Sequence, residues 1–373
     1  MKYILTLASL FYISCSNIGN PDKTMRKFTS LELNESNVTL NTNGNFTIFT
    51  TFVDNGTEYF ANLNKNKILI SSLSSRKLID TINVLFDNKQ TEKYGSISSF
   101  CFNGKDSLYL LLSRAILFIK NKKLTKTIFI NELDTVQYNK MRFANLEDAP
   151  IYYDKKTNEL IGQIYCSKCK QVDSAFYKSN ILGHISLETG KLKTYNITFS
   201  EKYISDYYGF ANHVYIQSRD SFSIVSFPCE EKMFELNRFT NNITSIYEKS
   251  IYQTAKASAL DRSLSDSREE KMRHLTTVPY YSQILYDPYR ELYYRFFLKN
   301  ITLKNKDGKY NTFKDKGIVL MVINKEFVVL NEYELNNNLN PYFSFVTKEG
   351  LFIKEKTFDT NDSTVFKIIK IKN

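Results

Sequence analysis

Six stretches of this chain share one pattern, in which an apolar strand runs into a tight polar turn and restarts as a strand. They are VDNGTEYF from Val53, FNGKDSLYLLL from Phe102, YDKKTNELIGQIY from Tyr153, FANHVYIQ from Phe210, YDPYRELYYRF from Tyr286 and VTKEGLFIK from Val346. Their starts lie about 49, 51, 57, 76 and 60 residues apart. A recurrence of this length marks a repeat architecture, in which each unit buries its faces only by stacking on its neighbours. Asp, Asn, Gly and Pro at the turns are the residues that tight hairpins require.

Each unit has room for further strands. Lys67 to Ser72 and Lys77 to Val84 finish the first, Ala115 to Lys120 and Leu124 to Ile130 the second, and Ile181 to Leu187 and Leu192 to Phe199 the third. Ser221 to Phe227 with Lys232 to Leu236 complete the fourth, and Gly317 to Ile323 with Phe327 to Glu332 the fifth. The sixth ends in Thr364 to Ile371 and lacks one strand, which Lys27 to Leu40 can supply. Closure by the start of the chain would remove the free sheet edges of an open array. The expected fold is therefore all-β, a six-bladed β-propeller forming a single domain over residues 27–373, with a pair of β-sandwiches as the alternative. With 26 Tyr and 28 Phe, the chain has ample apolar bulk for such a core.

The long gap before the fifth unit carries the helical signals. Ser267 stands three residues before Glu270 as a capping box, and good helix formers continue to Leu275. Lys256 to Leu264 is a second helical candidate. An insertion at about 250–275 would emerge on one face of the disc and cover part of the channel mouth.

The chain begins MKYILTLASLFYISCS, with Lys2, an apolar run from Tyr3 to Ile13, and then Ser14 and Cys15. The run is shorter than the roughly 20 residues a membrane span needs, so it reads as a signal peptide. The small residue before Cys15 resembles a bacterial lipobox, with Tyr12 where leucine is usual; an ordinary secretory signal is the alternative. On the lipobox reading residues 1–14 are removed, Cys15 is acylated, and residues 15–26 form a tether to the outer membrane. Ser16, Asn17, Ile18 and Gly19 follow the cysteine without an acid, which favours the periplasm-facing leaflet. Eight Asn-x-Ser/Thr sequons, among them Asn37, Asn45 and Asn196, are the chance product of an asparagine-rich composition.

The formal charge is +11, but 39 lysines against 11 arginines are spread along the chain rather than gathered in one block. That distribution reads as a solvated surface, and no nucleic-acid partner is expected.

The most distinctive stretch is ILYDPYRELYYRFFL, residues 284–298. Asp287 and Pro288 suit the first two positions of a type I turn and are structural. Strand alternation sends Leu292, Tyr294, Phe296 and Leu298 to one face and Tyr293, Arg295 and Phe297 to the other. Arg295 is expected to be structural, pairing with a carboxylate or stacking on a ring. Tyr281 and Tyr286 on the channel-lining strand, Arg290 at the turn and His213 in FANHVYIQ are the candidate ligand-binding residues. Arg290, in an exposed turn, is expected to contribute little to stability unless it has a partner.

The segment YSQILYDPYRELYYRF, together with the lipobox and the length, resembles Bacteroidota lipoproteins grouped as domain of unknown function 4221, which are similar to six-bladed propellers of the TolB-like kind. The resemblance implies the fold and the outer-membrane location, and it brings no catalytic residue or cofactor.

Cys166 and Cys169 in YCSKCK lack the second ligand pair that a structural zinc needs, since only His184 follows nearby. KQVDSAFYKSN shows no helical stripe, as a redox motif opening a helix would. A local disulfide or two free thiols remain. Cys101 and Cys229 read as small buried strand residues. GxSxG, HExxH and Gly-rich phosphate loops are absent from the sequence, so neither a catalytic motif nor a metal or cofactor is expected. Carboxylates from different blades could still converge for glycoside chemistry. The expected function is a monomeric, outer-membrane-anchored, non-catalytic propeller that holds a protein, peptide or glycan. A periplasmic hydrolase or lyase using channel carboxylates and arginines is the alternative.

Overall fold

A computed structural model describes residues 32–42, 46, 48–84, 92–130, 141–144, 149–356 and 363–372. The expected signal peptide, Cys15 and the expected tether lie outside them, as do residues 27–31 of the expected closing strand. About 52% of the described residues are strand and 9% helix, arranged as six antiparallel sheets in a ring, a six-bladed β-propeller.

The described chain enters as β1 (Glu32–Asn41). The first blade is β2 (Phe49–Asp54), β3 (Thr57–Asn64), β4 (Lys67–Ser72) and β5 (Leu78–Asn83). The second is β6 (Ile97–Phe102), β7 (Ser107–Leu112), β8 (Ala115–Lys120) and β9 (Lys123–Phe129). In the third, two short inner pieces, β10 (Met141–Phe143) and β11 (Tyr152–Asp154), both pair with β12 (Glu159–Cys166), followed by β13 (Leu182–Ser186) and β14 (Leu192–Thr194). The fourth is β15 (Tyr215–Arg219), β16 (Phe222–Ser226), β17 (Lys232–Asn237) and β18 (Ile243–Tyr247). The fifth is β19 (Tyr280–Asp287), β20 (Leu292–Leu298), β21 (Ile318–Asn324) and β22 (Val329–Leu335). The sixth is β23 (Leu339–Thr347), β24 (Gly350–Glu355) and β25 (Ser363–Lys372), completed on its outer edge by β1. β1 pairs with β25 without a break, from Glu32 opposite Lys372 to Asn41 opposite Ser363.

The apolar interior of the described residues falls into six clusters, one between each adjacent pair of blades. A propeller blade buries both faces, so alternate residues of one strand go to different clusters. β20 shows this directly, for Leu292, Tyr294 and Phe296 pack toward the sixth blade while Tyr293 and Phe297 pack toward the fourth.

Five local readings change. The hairpin expected within FANHVYIQ turns instead at Asp220, in the left-handed region at φ 39°, between β15 and β16. The fourth blade also has an outer strand, β18, which its exposed side chains concealed from a search for buried runs. Lys256 to Leu264 forms only a 3-10 turn at Arg262–Leu264, although Ala257 and Leu260 are buried. KQVDSAFYKSN does contain one helical turn, α1 (Ser174–Lys178), which buries Phe176 and Tyr177. The third blade's outer strand stops at Thr194, and after it come α2 (Glu201–Ser205) and a loop that buries Tyr203, Tyr207 and Tyr208.

The capping box at Ser267 does start a helix, α3 (Arg268–Thr277), with the Ser267 hydroxyl accepting from Glu270 N at 3.2 Å. Within it His274 is buried, and its Nε2 donates to Ser258 O at 2.8 Å while Nδ1 is buried without a hydrogen-bond partner. Burial holds the His274 pKa below its ordinary 6.5, and the Lys316 charge pushes the same way. The unfolded chain therefore takes up this proton more readily than the folded one. The contribution to stability is fully present above about pH 6.5 and declines as pH falls through the folded pKa. His274→Gln keeps a donor for Ser258 but does not titrate. Its melting temperature should fall less than that of the wild type between pH 7 and pH 5, and parallel losses in the two proteins would remove His274 from the account.

Candidate functional site

The first strands of all six blades surround a central channel of about 1350 Å³. β19 lies against β15 on one side and β23 on the other, and β6 packs against β2 and β11. Because every blade starts at the axis and its strands alternate in direction, the tight hairpins joining first and second strands gather on one face of the disc. The long connections, 167–181, 195–214, 248–279 and 299–317, gather on the opposite face.

At the hairpin face the blade-five turn is built by Asp287. Its buried carboxylate accepts from Tyr289 N at 2.9 Å and Arg290 N at 3.1 Å through Oδ1, and from Arg290 Nη1 at 2.9 Å and Tyr294 OH at 2.8 Å through Oδ2. Two of these donors lie in the turn itself, the Asx-type geometry that Asp favours. Pro288 sits on the rim of the channel.

Arg290 does not face the opening. Besides pairing with Asp287, its guanidinium donates to Thr347 O at 3.4 Å and Lys348 O at 2.8 Å, fastening blade five to the blade-six hairpin. The expectation of a small contribution without a partner therefore does not apply, since Arg290 supplies the countercharge to a carboxylate with 0% exposure. Tyr281 is likewise absent from the channel wall. A register break between Tyr281 and Ile284 puts Tyr281 and Tyr286, five residues apart, on the same side of β19, toward blade four. Tyr281 is buried there, donating to Gln253 Oε1 at 2.6 Å and accepting from Ser250 N at 3.0 Å. His213 lies on the loop before β15, its Nδ1 3.3 Å from Phe210 O and its ring 4.7 Å from that of Tyr215, away from the channel wall.

Of the four candidate binding residues, Tyr286 alone lines the channel. The guanidinium of Arg219 lies over its ring at 4.3 Å and over that of Tyr293 at 5.2 Å. Tyr289, from the same motif, also lines the channel and donates to Glu58 Oε1 at 2.6 Å, while Lys348 N donates to the same oxygen at 2.8 Å. Hairpins of blades one, five and six thus meet at this mouth. Tyr289 was legible as a turn residue beside Arg290, whereas Arg219 was hidden by the misplaced fourth hairpin.

Arg295 is fully buried and, of the two partners expected for it, takes the ring and not the carboxylate. It finds no carboxylate: Nε donates to Ser226 Oγ at 3.1 Å, Nη1 to Glu231 O at 3.0 Å and Glu248 O at 3.2 Å, and Nη2 to Phe227 O at 3.3 Å and Glu230 O at 2.9 Å. The ring stacking is present, with Tyr281 3.8 Å from the guanidinium carbon. Burial lowers the Arg295 pKa to about 10, which leaves it charged at neutral pH.

At the loop-rich face Lys316 is also fully buried and donates to Thr276 O and Val278 O at 2.7 Å and to Lys299 O at 3.0 Å. It thereby ties the C-terminal end of α3 to blade five, where a cation also suits the helix dipole. Burial pulls its pKa down to about 7, and the three carbonyl acceptors favour the proton that burial would release. Cys166 and Cys169 are joined in a disulfide with Cα atoms 5.4 Å apart. Cys101 and Cys229 are free and buried; Cys101 lies in β6, but Cys229 sits in the connection between β16 and β17 rather than in a strand.

The channel's acidic lining residues are Glu58 and Asp220, from two blades, and the Glu58 carboxylate is engaged by Tyr289 and Lys348. Among the described residues no group of three or more His, Cys, Asp or Glu is placed to hold a metal, and no helix is long and apolar enough to cross a membrane.

A family model described as Domain of unknown function (DUF4221) matches residues 33–334. No curated protein matches the sequence. Among solved structures, a member of that family from Bacteroides vulgatus is similar at 18% identity with a TM-score of 0.72, over 92% of this chain and 99% of that one. A protein from Bacteroides fragilis described as a candidate exported protein is similar at 9% identity with a TM-score of 0.54, over 91% of this chain and 96% of that one.

Proposed function

This chain belongs to the DUF4221 family, and we propose that it works as a non-catalytic binding propeller whose central channel holds a protein segment, peptide or glycan. The observation that carries this reading is the channel itself. At about 1350 Å³ it exceeds the roughly 300–1,000 Å³ of ordinary small-molecule pockets. Its wall mixes aromatic rings with hydroxyl and amide side chains, the composition of a recognition surface. A hydrolase or lyase would draw acids from several blades into one constellation, and the two lining acids sit on separate hairpins at the same mouth.

A plug tests the reading. Thr51, half-buried on β2, lines the channel, and a tryptophan there has open space to enter. Thr51→Trp should keep the wild-type melting temperature and lose at least tenfold of the partner captured by crosslinking in cells. Undiminished capture by a folded plug variant would place binding elsewhere.

The lipid anchor belongs to the same proposal. Acyl chains contribute about 0.8 kcal/mol per buried methylene, so several on Cys15 would anchor stably, and the chain would face the periplasm from the outer membrane. Cys15→Ser should move the protein from the membrane pellet to the soluble fraction. Retention in the pellet after a high-salt wash would rule out the lipoprotein reading.

A further inference from the structure

The channel is electrically polarised along its axis. Glu58 and Asp220 stand at the hairpin face with one cation, Arg219, while Lys314, Lys316, Lys354 and Lys356 line the opposite end. Carbonyl oxygens hold the ammonium groups of two of them: Lys316 has the three already described, and Lys356 donates to Lys314 O at 2.5 Å and Asn337 O at 2.6 Å. Burial lowers the Lys356 pKa, and repulsion from Lys314 adds to that against the opposing pull of Asp315. The Asp315 carboxylate is itself engaged by Thr312 N at 2.7 Å and Thr312 Oγ1 at 2.8 Å. The Asp315 carboxylate offsets part of the positive charge of Lys314 and Lys356, and an oxyanion arriving beside the cavity would offset more of it.

The wall also discriminates between kinds of chain. A peptide bound by strand addition needs a long, regular edge. The inner strands of three blades break register, between Ile97 and Ser99, Tyr281 and Ile284, and Asn340 and Ser344. The inner strand of blade three is split into two three-residue pieces. A sugar chain needs instead aromatic rings and side-chain hydrogen-bonding groups at irregular intervals, and the wall supplies Phe343 and the exposed ring of Tyr289 with Thr51 and Gln217.

We infer that the channel takes an acidic oligosaccharide, with a sugar carboxylate seated beside Lys314 and Lys356; this rests on the channel being the binding site. Calorimetric titration of the full chain with trigalacturonate and with its uncharged methyl ester tests the assignment. The acid should bind at least tenfold more tightly than the ester, and its affinity should fall as salt is raised. Lys314→Gln with Lys356→Gln should weaken the acid at least tenfold, and exposed Lys314→Gln alone severalfold, while Lys123→Gln on an outer strand changes nothing. Equal affinity for acid and ester, or indifference to the lysine substitutions, overturns the inference. So does triglutamate binding as tightly with the same lysine dependence. If neither sugar binds while Thr51→Trp still blocks capture, the acidic-sugar assignment falls and the channel reading stands.

Discussion

Replacing Arg295 with alanine should lower the melting temperature by roughly 4 °C, the shift expected of a loss of about 3 kcal/mol in a chain of this size. The guanidinium has 0% exposure and joins β20 to the loop leaving β16 and to the residues around β17 and β18. Its removal leaves a cavity under Tyr281 and strips donors from the carbonyls of Phe227, Glu230, Glu231 and Glu248. Leaving buried acceptors unsatisfied costs about 1–3 kcal/mol apiece where water cannot replace the donor. Arg295→Lys keeps the charge but not the planar fork, and should fall between the two. A melting curve of Arg295→Ala that overlays the wild type would show that blades four and five do not depend on this residue.

Deleting β1, residues 32–41, should be more damaging still. It removes an uninterrupted ten-residue ladder from β25 and takes Leu40 out of the cluster between blades six and one. β25 would become a free edge, able to pair with other chains. The expected result is loss of the cooperative melting transition, with association visible by light scattering. Deleting residues 16–24, which precede the described structure, should leave the transition unchanged. Equal melting of the two truncations would mean that the ring is not held closed by its N-terminal strand.

Asp287 and Arg290 show why the site was harder to read than the fold. Both were identified as turn residues, and Asp287 is one, bonded within its own hairpin. The direction of the Arg290 guanidinium depends on the blade-six carbonyls of Thr347 and Lys348, about 57 residues away in sequence. Likewise, alternation on β20 was legible because it needs only the strand period. The side of β19 that Tyr281 takes depends on a bulge that no residue type announces.

From sequence alone came the repeat length, five of the six hairpin turns, the closing strand and the capped helix at Ser267, all set by chemistry within a few residues or by a pattern that recurs along the chain. Only the tertiary structure decided which side chains meet. It put Arg295 on four carbonyls instead of a carboxylate, turned Arg290 and Tyr281 away from the channel, and brought Lys314 and Lys356 together at one end of it. The physical reason is that a propeller's central channel is lined by one strand from each of six blades. A residue's neighbours there are set by the closure of the ring, and local sequence carries no trace of them.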